Sequence, residues 1–211
     1  VRAADGLTIR NSAVYDVRYD EPIDGSDIWM AGTNRISGTF VTRTDGLLLE
    51  NNLYDHNGWA PGYDYDRSAE FGQPPSMYSH NIYLQHDNHD VTVRDNIIMR
   101  GASFGAQVRS GGFIEDTVFL DNNAAVNFLG GRADTSTEEP DDKKGYFTLF
   151  MDNLVTSGAY KQASQAEGTL TRGIDAYSRE SSLVDNIVAH LANPDDPVEQ
   201  AESIQNGGGA L

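Results

Sequence analysis

The chain of 211 residues contains no cysteine, so no disulfide framework supports it and its redox compartment is left open. Basic residues are scarce: 15 Lys and Arg stand against 32 Asp and Glu, a net charge of −17. No basic patch stands out that could neutralise phosphates, which argues against nucleic acid as a partner. No apolar run approaches the roughly 18–20 residues of a membrane-crossing helix, and no signal peptide is recognisable. The acidic balance suits a solvated surface, as on a secreted, periplasmic or cell-surface protein.

What the chain does have is a phrase that returns six times: alternating apolar residues, a short polar step, a pivot of Asn, Ser or Thr, then apolar residues again. Its pivots are Ser12, Asn52, Asn96, Thr117, Asn153 and Asn186. The alternation has the period of a strand, not of a helix. Successive pivots are 40, 44, 21, 36 and 33 residues apart. The shortest step is about one bare coil of a solenoid, and the longer ones add insertions that a solenoid places in loops. Stacked coils would let the pivot amides bond one another in a column. A leucine-rich horseshoe has a similar core, but its repeat keeps to about 20–29 residues. Here four of five steps are longer, and Gly, Asn, Asp and Ser follow the pivots in place of a leucine-rich helical return.

A second strand is expected before each phrase, at 27–30, 81–85, 105–109, 125–129 and 173–177. Alternation turns Ile82, Leu84, Ala106, Val108, Val126, Phe128, Ile174 and Ala176 inward. It turns Tyr83, Gln85, Gln107, Arg109, Asn127, Leu129, Asp175 and Tyr177 outward. The outward set forms a polar, aromatic stripe.

The runs Ser79-His-Asn-Ile-Tyr-Leu-Gln85, Val91-Thr-Val-Arg-Asp-Asn-Ile-Ile98 and Gly105-Ala-Gln-Val-Arg-Ser-Gly-Gly112 resemble the right-handed parallel β-helix superfamily. That group includes pectate and alginate lyases, mannuronan epimerases and phage tailspikes. The resemblance implies an all-β fold: one right-handed parallel β-helix solenoid of about six coils with long loop insertions, spanning residues 1–211. With no capping helix or polar cap at either end, the chain is expected to be part of a longer protein or to take its caps from another segment. The fold hosts several chemistries, so activity must be read from a site.

Arg109 is the residue singled out on the stripe. A uronate lyase or C5-epimerase must neutralise a carboxylate and remove the proton next to it; a lyase must also protonate the leaving oxygen. Arg109 with Gln107 and Asn127 would grip the carboxylate. His80 or Tyr83 would serve as base, and Tyr83 or Tyr177 as acid. Gln85 lies beside them on the stripe. The long insertion 55–78 carries Trp59, Tyr63, Tyr65, Phe71 and Tyr78, of which Trp59 and Tyr78 are candidates for stacking on sugar rings. Packing of the loop onto the solenoid is their alternative fate. Arg132, Lys143, Lys144, Arg172 and Arg179 could serve an anionic polymer, or belong to solvated loops.

His80, His86 and His89 with Asp87 and Asp90 invite a metal, but their spacing matches no ligand motif, and no metal ligands are assigned. Calcium is left open, because neither the acidic cluster of a pectate lyase site nor the G-G-x-G-x-D calcium roll is recognisable. The Asp-Pro-His tripeptide of alginate epimerases is absent too. The expectation is therefore an enzyme acting on an anionic polysaccharide, by β-elimination or epimerisation. The rivals are a glycoside hydrolase, which needs two carboxylates about 5–10 Å apart, and a non-catalytic glycan-binding or structural solenoid. Asp27, Glu115 and Asp175 are the carboxylates considered for hydrolysis.

Overall fold

A computed structural model describes residues 1–21, 35–61, 78–128, 147–157, 172–176, 180–189 and 202–205. Among these residues there is no helix, and the strands pair in parallel throughout. Their pairing sorts them into three ladders, each visited once per repeat.

The first ladder stacks β1 (Arg2–Arg10), the second half of β3 (Ser37–Glu50), β6 (His89–Arg94), β9 (Gly112–Glu115), β12 (Thr148–Met151) and β15 (Ser181–Val184). The second stacks β2 (Ala13–Tyr15), β4 (Leu53–Asp55), β7 (Ile97–Met99), β10 (Val118–Asn122), β13 (Leu154–Ser157) and β16 (Ile187–Val188). The third stacks the first half of β3, β5 (His80–Leu84), β8 (Phe104–Val108), β11 (Ala124–Asn127), β14 (Arg172–Asp175) and β17 (Glu202–Gln205). Because β3 belongs to two ladders, the first and third form one curled eleven-stranded sheet, and the second ladder is a separate six-stranded sheet.

The pairing register follows the pivots. Leu47, Leu49, Val91, Val93, Ile114 and Phe150 of the first ladder face Tyr54, Ile98, Phe119 and Val155 of the second and Ile82, Leu84, Val126 and Ile174 of the third. These make one buried core. A shift of one residue would turn each of these rows to solvent, so the core fixes the register.

The expected column of pivots forms between the first and second ladders. Ser12 N donates to Asn52 Oδ1 at 3.1 Å, Asn52 N to Asn96 Oδ1 at 3.0 Å, and Asn96 N to Thr117 Oγ1 at 3.3 Å. Thr117 N donates to Asn153 Oδ1 at 2.9 Å and Asn153 N to Asn186 Oδ1 at 3.0 Å. Each Asn pivot also donates its Nδ2 to a carbonyl of the first-ladder strand one rung earlier, from Asn52 to Ile9, Asn96 to Leu49, Asn153 to Ile114 and Asn186 to Phe150. The chain turns this corner through a left-handed residue just before each pivot: Asn11, Asn51, Asp95, Asp116, Asp152 and Asp185 have φ between 48° and 55°. Asn and Asp tolerate that conformation best after glycine, which explains their presence at all six places.

A second polar column, not anticipated from the phrases, closes the corner between the second and third ladders. Val17 N donates to Asn57 Oδ1, Asn57 Nδ2 to Asn81 Oδ1 at 2.7 Å, and Asn81 Nδ2 to Asn122 Oδ1 at 3.1 Å. The segment expected as a strand at 27–30 lies outside the described residues. The strand that stands beside β5 is 37–41.

Candidate functional site

The third ladder positions the stripe. Phe40 pairs with Tyr83, Tyr83 with Gln107, Gln107 with Asn127, and Asn127 with Asp175. All five stand on the face opposite the core residues Ile82, Ala106, Val126 and Ile174, so four of the expected stripe residues do share one wall in adjacent rungs.

Arg109 and Gln85 follow directly on β8 and β5. Arg109 N bonds Leu84 O at 2.9 Å and Gln85 N bonds Val41 O at 2.9 Å, which continues the ladder past the strand ends. The Arg109 guanidinium reaches across one rung, its Nη1 donating to the Tyr83 hydroxyl oxygen at 3.0 Å. Both side chains are half-buried. Around them stand rings: Phe40 meets Tyr83 edge to face at 5.4 Å, and His80 meets the same ring at 5.4 Å.

His80 is fully buried, and Phe104 flanks it at 5.6 Å. Burial pushes the imidazole down to about 3, and the positive charge of Arg109 adds to that. It is therefore a neutral ring at neutral pH, and so low a value makes it a weak proton acceptor. Its Nδ1 makes no hydrogen bond among the described residues.

Exposure falls along the wall. Phe40 and Tyr83 are half-buried, whereas Gln107 is 8% exposed, Asn127 4% and Asp175 1%. Asn127 Nδ2 donates to Asp175 Oδ2 at 3.2 Å, so one of its amide hydrogens is already engaged. The reachable polar groups are accordingly Tyr83, Arg109 and Gln85, with Gln107 at their inner edge.

The other candidates are placed as follows. Trp59 is buried at the corner after β4. Its indole nitrogen donates to Arg100 O at 2.7 Å and its ring stacks on His56, so it offers little surface to a sugar. Tyr78 is 37% exposed, with the Arg35 guanidinium 4.4 Å over its ring. Tyr63, Tyr65, Phe71, Leu129, Arg132, Lys143, Lys144, Tyr177 and Arg179 lie outside the described residues, as does Asp27.

The three histidines do not converge. His80 is buried on β5, His86 is half-buried with Nδ1 3.4 Å from Gln85 Oε1, and His89 is exposed at the start of β6. Asp87 is held by β3 instead: its carboxylate accepts from the Thr42 hydroxyl at 2.8 Å and from Arg43 N at 3.1 Å. Burial opposes its charge, but these bonds and the neighbouring His86 outweigh burial and hold the carboxyl below its ordinary value. Among the described residues no three His, Asp or Glu side chains are grouped to hold a metal ion. Glu115 lies on the first ladder, its Oε1 4.0 Å from Arg94 Nη1, away from the wall.

Two site features escaped the sequence reading. Phe40 prolongs the wall by one rung, hidden because its strand alternates Thr39 and Val41 inward with little apolar signal. The engagement of Asn127 by Asp175 could have been suspected from their shared register. Among the described residues no helix is long and apolar enough to cross a membrane. Comparison with known proteins finds no matching family model, curated protein or solved structure.

Proposed function

We propose that the three ladders are the faces of a right-handed parallel β-helix, and that its outward wall on the third ladder acts on an acidic polysaccharide as a uronate lyase or C5-epimerase. The order first, second, third ladder, repeated with each pivot, supports the solenoid reading. The Arg109–Tyr83 hydrogen bond is the observation that carries the chemistry.

A guanidinium has five N–H donors in a planar fork that matches a carboxylate. Arg109, with the amides of Gln85 and Gln107, would receive a uronate carboxylate and withdraw charge from its α carbon. The Tyr83 oxygen then moves the proton. In elimination the phenolate form of Tyr83, its own proton given up to solvent, takes the proton from C5, the C4–oxygen bond breaks as the C4–C5 double bond forms, and the proton passes from Tyr83 to the departing oxygen. In epimerisation the Tyr83 phenolate takes the same proton, solvent delivers another to the opposite face of C5, and Tyr83 then releases its proton to solvent. Arg109 balances negative charge on the phenolic oxygen in either course. His80 serves as a neutral support that holds the Tyr83 ring edge-on, a positioning role and not that of a base. A protein working on such polymers belongs outside the cell or at its surface.

Hydrolysis is less well served, because Asp175 is the only carboxylate among the described wall residues and it is committed to Asn127. Alginate, pectate and related uronans, each incubated with the protein and followed by ultraviolet absorbance of the unsaturated product and by new reducing ends, test the reading. Arg109→Ala is expected to lower turnover about a hundredfold or more. Unchanged turnover removes Arg109 from the site. Binding without turnover would favour a non-catalytic glycan-binding solenoid.

A further inference from the structure

The outer face of the second ladder carries a row that the proposed chemistry does not use. Leu53, Ile97, Val118, Leu154 and Ile187 pair in register on successive rungs, opposite the core residues Tyr54, Ile98, Phe119, Val155 and Val188. They form one aliphatic column on the outside of the sheet. Ile97 is 45% exposed and Ile187 65%, so the column is open to solvent at these rungs. Met99 and Leu120, two residues further along, widen it.

Two residues before this column runs a second one, of charge. Asp95, Asp116, Asp152 and Asp185 are the left-handed corner residues, and all four are exposed. Their neighbours on the first ladder read Arg94, Glu115, Met151 and Val184, so among these described neighbours a cation flanks the row only at its first member. That cation is spoken for: Arg94 Nη2 lies 2.6 Å from Glu50 Oε1. The outcome is a carboxylate about every 4.8 Å along the stack, beside an aliphatic residue at the same spacing.

We propose that this face docks an amphipathic α-helix from a partner protein, laid along the stack with a basic row over the aspartates and an aliphatic row over Ile97, Val118, Leu154 and Ile187. Spacing selects a helix. Its pitch of about 5.4 Å follows the rung repeat with a drift of roughly 0.6 Å per turn, which long Lys and Arg side chains absorb. An extended strand brings back the same face only about every 6.7 Å and falls out of step at once. Charge selects the basic partner and opposes a second copy of a chain carrying −17.

The chain itself supplies the control. Asn11 and Asn51 occupy the same corner place as the four aspartates with the same φ, so Asp95→Asn, Asp116→Asn, Asp152→Asn and Asp185→Asn together remove charge and keep the corner. The probe is a fluorescently labelled 18-residue synthetic helix with Leu and Lys rows on adjacent faces, and its twin with Glu for Lys, read by anisotropy at low and physiological salt. The native chain should bind the Lys peptide and not the Glu twin, and the quadruple variant should bind about tenfold or more weakly with little salt dependence. Ile97→Thr with Ile187→Thr should weaken binding without removing its salt dependence. Failure of the native chain to bind, equal binding of the two peptides, or an unweakened quadruple variant overturns the proposal. So does concentration-dependent self-association that the Ile variants abolish, since the occupant is then a second copy.

Discussion

At the residue scale, the buried histidine makes the sharpest thermodynamic statement. The His80 imidazole titrates at about 3 in the fold and near its ordinary value when unfolded. Between those two values the unfolded chain holds a proton that the folded chain does not. Stability is therefore complete above about pH 6.5 and is lost as pH falls, by up to about 1.4 kcal/mol per pH unit from this group alone. His80→Phe keeps a ring against Tyr83 and Phe104 and has no proton to bind. Urea titrations from pH 7 to pH 4 should show a shallower loss of stability for the variant, by close to one proton. Parallel slopes would mean that His80 is not held neutral.

At the element scale, the corner amides matter more than any single strand pair. Asn96 accepts from Asn52 N and Asn52 Nδ2 and donates to Leu49 O and Arg94 O. Asn96→Ala leaves several of these groups buried without partners, at about 1–3 kcal/mol for each one left unsatisfied. Asn96→Thr copies the residue used at Thr117 and keeps an acceptor for Asn52, so it should cost less. Urea midpoints that rank Ala no worse than Thr would contradict a hydrogen-bonded column. This column was legible because its residues recur at one place in an apolar phrase. The second column was not, for a steric reason: Asn57 and Asn122 sit five residues past their pivots, yet the rung between them has Gly101 there, and the amide that links them is Asn81 of β5, on the rung of Asn57. Gly38 and Gly105 leave the room, since a Cβ at either would come within 2.7 Å of Asn57 or Asn122. An amide that changes strands from rung to rung breaks the period that a sequence reading follows.

At the scale of the whole molecule, the register joins fold and site. Alternation put Tyr83, Gln107, Asn127 and Asp175 on one face, and strict pairing of successive repeats put them in one column; both were readable because core and wall residues alternate cleanly there. Their graded burial was not readable, because alternation fixes which way a side chain faces and not what covers it. The absence of native cysteine offers a direct check of adjacency. Tyr83→Cys with Gln107→Cys places cysteines on neighbouring rungs with their Cα atoms about 4.8 Å apart, within disulfide range. Tyr83→Cys with Asn127→Cys places them two rungs apart, out of range. Mild oxidation should consume both thiols of the first pair and neither of the second; a first pair that stays reduced would mean a different register.

The proposed chemistry rests on Tyr83 and Arg109 meeting a sugar carboxylate together. Proton NMR of uronans treated with the native protein and with Tyr83→Phe reads unsaturated ends, inverted C5 centres and new reducing ends in one spectrum. The native protein should produce unsaturated ends or inverted centres on at least one polymer, and Tyr83→Phe, which keeps the ring and loses the hydroxyl, should produce neither. New reducing ends without unsaturation, or full activity in Tyr83→Phe, would contradict proton transfer through this wall.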